Sequence, residues 1–255
     1  MRRPCARAAA LAAFLLAPLA PARADLHVRL PVVDYREVEY EQNGLISFGP
    51  PGSGFHRAQS YSNAIGVGIL PFWQVELEGE AQAAPGEGLR MDAVTLENIF
   101  QITQPGEYEY NLGFYAEFSR SVRRGQPGSV TVGPIVQKEL PDFLGTDSIH
   151  TLNLFLTHDA GPSAGHATGL TYAWQSLLYV NQYVSPAVEI YGQISDLAHA
   201  GHFDEQQVLA GPALAGGFHL GRWGTLKYQV GYLAGLTGAS PRGAVRWQIE
   251  YELAF

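Results

Sequence analysis

The chain ends in a run that alternates strictly: Ala244-Val245-Arg246-Trp247-Gln248-Ile249-Glu250-Tyr251-Glu252-Leu253-Ala254-Phe255. Val245, Trp247, Ile249, Tyr251, Leu253 and Phe255 fall on one face; Arg246, Gln248, Glu250 and Glu252 fall on the other. A period of two is the geometry of a strand, whose successive side chains point to opposite sides, and a helix cannot keep these two sets apart. The same pattern recurs. Tyr108, Tyr110, Leu112, Phe114 and Phe118 share one face opposite Glu109, Asn111, Tyr115 and Glu117. Trp73, Val75 and Leu77 stand against Gln74, Glu76, Glu78 and Glu80, and residues 170–180 and 226–236 follow the rule. Turn residues punctuate the runs, among them Pro85-Gly86, Pro105-Gly106, Pro127-Gly128 and Pro141-Asp142.

This reading predicts twelve strands, near 34–42, 60–70, 72–83, 89–102, 108–121, 129–140, 148–157, 168–180, 186–197, 207–220, 225–236 and 244–255. The spacing suits strands of roughly ten residues joined as hairpins. Long connections are expected near 43–59, 158–168 and 198–206. Nothing reads as an interdomain linker.

Residues 1–24 carry a different message. Arg2, Arg3 and Arg7 precede a short apolar stretch, Leu11 to Leu19, and Ala22-Arg23-Ala24 is a small-x-small cleavage site. The segment reads as a secretory signal peptide cut after Ala24, which leaves a single domain over 25–255. Cys5, the one cysteine, departs with it, so neither a disulfide framework nor a cysteine-based zinc site is expected. The remaining 231 residues hold 24 acids against 12 bases. Such a balance argues against nucleic-acid binding, which needs a basic footprint. After the signal no apolar run approaches the roughly 20 residues of a spanning helix.

Alternation alone does not separate a soluble sandwich, apolar face inward, from a membrane barrel, apolar face toward lipid. Four features favour the barrel: export, an alternating strand that ends on aromatic Phe255, an even strand number that lets hairpins close without an edge, and aromatics near many strand ends. The expected fold is all-β, a single antiparallel up-and-down transmembrane β-barrel of about 12 strands; a secreted lectin-like sandwich is the alternative.

The ending Trp247-x-Ile249-x-Tyr251-x-Leu253-x-Phe255 resembles the C-terminal signal of Gram-negative outer-membrane β-barrels. That resemblance implies an outer-membrane location and recognition by the barrel-insertion machinery. The longer stretches LKYQVGYLAGLTGASPRGAVRWQIEYELAF and GLTYAWQSLLYVNQYVSPAVEIYGQI are similar to a group of proteobacterial outer-membrane proteins. These are distantly similar to transporter-like barrels and to barrels linked to aromatic degradation. No catalytic residue transfers from the likeness.

If apolar faces meet lipid, the polar faces line the interior. That set comprises Glu37, Glu39, Glu41, Glu76, Glu78, Glu80, Glu97, Glu109, Glu117, Glu139, Glu189, Glu250 and Glu252 together with Gln248, opposed only by Lys227 and Arg246. Unpaired carboxylates in a dry space would each lose several kcal/mol of hydration. A wet lumen that prefers small cationic or polar solutes is therefore expected, as in acid-ringed pores. Small inward residues such as Ser62, Ala64, Gly66, Gly211 and Ala213 leave room, which solute, a loop or the start of the chain could fill.

Other chemistry has weaker support. His158 to His166 contains His, Asp and Ser in a predicted turn, a poor place to hold a triad. No tight His-x-Ser pair stands out. The His199 to Glu205 cluster has metal-ligand types without a helix to fix their spacing. No cofactor and no metal are expected, and the protein is not expected to be an enzyme; a Ser/His barrel hydrolase acting on lipid is the remote alternative. A plugged or purely structural barrel is the nearer one.

Overall fold

The computed structural model describes residues 26–161, 164–165 and 167–255. The proposed signal peptide lies outside them. Twelve antiparallel strands close on themselves in sequence order, β12 pairing β1. They are β1 (Glu37–Phe48), β2 (Gln59–Leu70), β3 (Trp73–Ala83), β4 (Arg90–Gln101), β5 (Asn111–Ser121), β6 (Gly128–Phe143), β7 (Thr146–Ala160), β8 (Thr168–Tyr179), β9 (Ser185–Ile194), β10 (Gln207–His219), β11 (Thr225–Gly235) and β12 (Gly243–Ala254). Closure hydrogen-bonds every strand on both sides, which is what removes the unpaired edge.

Most elements fall within a few residues of the sequence expectation. The first strand does not: it begins at Glu37 and continues to Phe48, so residues 43–48 pair with β12 rather than forming a loop. Gly44, inside the expected 43–59 connection, serves packing. A Cβ there would lie 2.1 Å from the Trp247 ring, so only glycine lets that indole lie flat on the strand. β6 and β7 are longer than expected and form the tallest hairpin. Tyr108 to Tyr110 belong to the 102–110 connection, which turns at Gly106 (φ 77), and β5 starts only at Asn111.

Connections at one rim are long (49–58, 84–89, 122–127, 161–167, 195–206, 236–242); at the other two are tight, 71–72 and 144–145. The chain enters the sheet, and leaves it, at the second, short-turn rim, where Phe255 N donates to Arg36 O at 3.0 Å.

The exterior is apolar. Ile65, Leu77, Leu96, Phe114, Phe118, Leu154, Val188, Leu214, Val230 and Ile249 are all exposed on outward strand positions. Aromatic pairs mark both margins: Trp73 on Phe100 and Phe218 on Tyr228 toward the short turns, Tyr61 against Trp247 toward the long connections. A closed barrel with an apolar band between aromatic girdles is built to sit in lipid. No described helix is long and apolar enough to cross a membrane. Most of the buried set lies inside the ring, and much of it is polar, which a soluble sandwich core would not tolerate.

Candidate functional site

Residues 26–34, which precede the first strand, run through the lumen. Their start packs toward the long-connection half: Leu26 and Val28 meet Leu45, Tyr191, Leu209, Leu233 and Ala244. Val33 lies nearer the short-turn rim, against Ile99, Tyr115, Ile135 and Phe155. Tyr35 then bridges to Gly68 before the chain joins β1. The wall is recessed to admit the segment. A Cβ on Gly113 would come within 2.9 Å of Pro31, and one on Gly68 within 2.2 Å of the Asp34 carbonyl oxygen.

Polar groups latch this segment at mid-height. Arg29 Nη2 donates to Glu97 Oε1 at 2.7 Å, and its Nη1 lies 3.5 Å from Glu41 Oε1. The guanidinium also stands over the Tyr115 ring, 5.8 Å from the centroid. Arg29, Glu41 and Glu97 are 4%, 4% and 1% exposed, so these charges have been withdrawn from water and depend on each other. Backbone groups of the segment are met by wall amides. Arg29 N donates to Asn153 Oδ1 at 2.7 Å, Asn153 Nδ2 returns a bond to Arg29 O at 2.9 Å, and Val33 N donates to Gln101 Oε1 at 2.8 Å. An extended segment that pairs with no strand needs such acceptors, because a buried backbone group left unbonded is costly. His27 Nδ1 lies 3.2 Å from Glu41, and Gln248 Nε2 donates to the other Glu41 oxygen at 2.8 Å.

A second buried pair ties β9 to β12 across the lumen. Arg246 Nε donates to Glu189 Oε2 at 2.6 Å, and its Nη2 bonds Glu189 Oε1. Gln175 and Gln229 also donate to Glu189, which is 0% exposed. Lys227 bonds Glu250 and Glu252 nearer the short-turn rim. Along the β1–β4 wall, Glu39 accepts from Gln74 at 2.5 Å, and Glu80 accepts from Thr95 at 2.7 Å. Glu76 and Glu78 are buried beside them. An open space of about 430 Å³ is lined by Leu26, Asn43, Ser62, Glu78, Glu80 and Arg246.

By register Glu37, Glu39, Glu41, Glu76, Glu78, Glu80, Glu97, Glu117, Glu139, Glu189, Lys227, Arg246, Gln248, Glu250 and Glu252 stand on the inward face. Trp247, Ile249, Tyr251, Leu253 and Phe255 stand outward. Glu109 is a correction. It sits outside the ring, in the 102–110 connection, and bonds the Lys138 ammonium. The turn at Pro105-Gly106 consumes the residues that alternation assigned to the start of β5. A second correction concerns the interior bases, where Arg29 joins Lys227 and Arg246. The start of the chain fills part of the lumen, one of the occupants for which the small inward residues leave room. Periodicity missed Arg29 because the segment is not a strand. The signal available was an apolar stretch, Leu26 to Val33, interrupted by Arg29 and Pro31 and preceding the first strand.

The other candidates separate on geometry. Ser148 Oγ and His150 Nε2 lie 3.0 Å apart, a Ser-x-His contact with the residues in the reverse of the His-x-Ser order. The pair faces outward among Phe143 and Trp174, and Ser148 is 1% exposed, too covered to reach a substrate. His158 contacts Thr168; Ser163 and His166 lie outside the described residues. In the 195–206 connection, Asp196 accepts from His199 at 2.8 Å, a bond that holds its carboxyl below the ordinary range. Among the described residues no three His, Cys, Asp or Glu converge to hold a metal.

This geometry can be set beside solved structures. An outer membrane channel from Pseudomonas putida F1 superposes with a TM-score of 0.57 at 13% identity, over 91% of this chain and 98% of that one. The NanC porin gives 0.52 at 12% identity, over 86% and 99%. The chain shares the fold of these outer-membrane channel barrels. No protein-family model matches the sequence, and no curated protein does. At such identities the likeness carries the architecture, and the chemistry rests on this chain's own residues.

Proposed function

We propose that the protein is a pore of the Gram-negative outer membrane that favours small cationic or polar solutes and is narrowed by its own N-terminal segment. The observation that carries this reading is the sorting of charge by a closed wall. Inward glutamates on β1, β3, β4, β5, β6, β9 and β12 outnumber the inward bases Arg29, Lys227 and Arg246. A lumen with excess carboxylate concentrates cations and repels anions. The same reading makes residues 1–24 a cleaved signal and the terminal Trp247-to-Phe255 face the mark read by the insertion machinery. The porins and channels among the structural neighbours agree with a role that is not enzymatic.

The test is a reversal potential in planar bilayers under a salt gradient. Wild type should show the cation-selective sign. Glu76→Gln with Glu78→Gln and Glu80→Gln should move it toward zero, most strongly at low salt, where screening is weakest. Anion preference at neutral pH, or an unmoved potential in the triple variant, would sink the proposal. The second reading, a plugged barrel without transport, draws on the latched segment; a protein silent both with and without that segment would support it.

A further inference from the structure

Several polar side chains on the outer wall are met by a neighbour within the protein; among the described residues the charged side chain of Arg120 is not. Outward Gln42 accepts from Trp247 Nε1 at 3.2 Å, Asn63 from Tyr40 OH at 2.7 Å, and Asn98 from Trp73 Nε1 at 3.2 Å. Within the continuous strand registers only two outward side chains are charged, and both are basic. Lys138, near the short-turn rim, has Glu109 as its acid and Tyr110 as a ring partner at 4.8 Å. Arg120, near the long-connection rim, has no hydrogen-bond or ion-pair partner for its side chain among the described residues.

Its surroundings make this consequential. Arg120 pairs with outward Val94 on β4. Exposed Phe118 stands one outward step below it, and exposed Val122 one step above. The guanidinium is thus set into the upper margin of the apolar band. An arginine on the lipid face is costly at the midplane and nearly neutral at the interface, where it can meet headgroups. Nearby Arg124 is also exposed, while Arg123 is held to Asp92 at 2.5 Å. Arg120 is therefore a guanidinium without a partner among the described residues at the margin of the apolar band, and Arg124 follows it in the adjoining 122–127 connection.

We propose that Arg120, with Arg124, binds a phosphate of a phosphorylated glycolipid in the outer leaflet. A guanidinium matches phosphate oxygens with two parallel donors, and at the margin of an apolar band a lipid headgroup presents them. The inference rests on the outer-membrane reading, in which long connections face outward. Its internal control is Lys138, whose charge the protein neutralises itself.

The test is retention of lipopolysaccharide by the purified full barrel through detergent exchange, read by mass spectrometry. The wild type should retain it, and its unfolding temperature should rise on adding lipopolysaccharide. Arg120→Gln should lower apparent affinity about ten-fold, the scale of one charge-assisted contact. Lys138→Gln should not. Enzymatically dephosphorylated lipopolysaccharide should lose the effect on wild type, an arm that requires no variant to fold. Equal retention by wild type and Arg120→Gln, or of dephosphorylated lipid, overturns the proposal. An equal shift with inorganic phosphate alone overturns the lipid assignment. A barrel that conducts yet retains no lipid keeps the pore and loses this site; one that retains lipid yet never conducts does the reverse.

Discussion

Arg29→Ala is expected to raise single-channel conductance several-fold over wild type. The substitution leaves Glu41 and Glu97, 4% and 1% exposed, facing each other without the guanidinium between them. Removing one partner of a buried ion pair costs about 3–5 kcal/mol. The least costly relief is for water to reach the two carboxylates, which requires residues 26–34 to leave the lumen. The segment can do so without unfolding the wall, because it joins the sheet only at the short-turn rim, through Tyr35 and Arg36. Deleting residues 26–33 should have the same effect. Gly113→Val should approach it without altering any charge, since its side chain would occupy the space of Pro31. Planar-bilayer recording is the measurement. Conductance unchanged in all three variants would mean that the segment does not set the bore.

Arg246→Ala should destabilise the barrel by about 3–5 kcal/mol, the scale of a severed buried pair. Glu189 is 0% exposed and takes two bonds from Arg246, and Gln175 and Gln229 complete its shell. Neutral amides alone do not match a full buried charge. Arg246→Ala combined with Glu189→Gln should recover much of the loss, because the orphaned charge is then gone. Denaturant titration of the folded barrel in detergent gives both values. A double variant as unstable as the single would show that Arg246 acts through packing, as its stacking over Tyr191 at 5.7 Å allows, and not through its charge.

Much of the wall was legible because a barrel strand writes its two environments into adjacent residues. Residues 244–255, 73–83 and 225–236 show this most clearly, and their registers put the apolar set outside. Reading failed where period two stopped being the governing rule. The connection expected near 43–59 begins only after Phe48, and Gly44 serves the Trp247 ring, a contact 203 residues away in sequence. Glu109 continued the alternation of β5 by coincidence, while the Pro105-Gly106 turn had displaced it to the outer surface. The Ser148–His150 contact has its residues in the order opposite to His-x-Ser, and only its burial separates a satisfied pair from a reactive one.

The sequence by itself pointed to about twelve antiparallel strands and to most of the residues that share a face, because these follow from local periodicity, and it favoured a closed ring because backbone groups in lipid must be satisfied. Only the tertiary structure decided what occupies the lumen. Arg29 meets Glu41 and Glu97, Arg246 meets Glu189, and Arg120 meets no hydrogen-bond or ion-pair partner among the described residues, through placements set by closure of the ring. Charge pairing across a lumen depends on distances between residues dozens of positions apart, and a one-dimensional pattern carries no such distance.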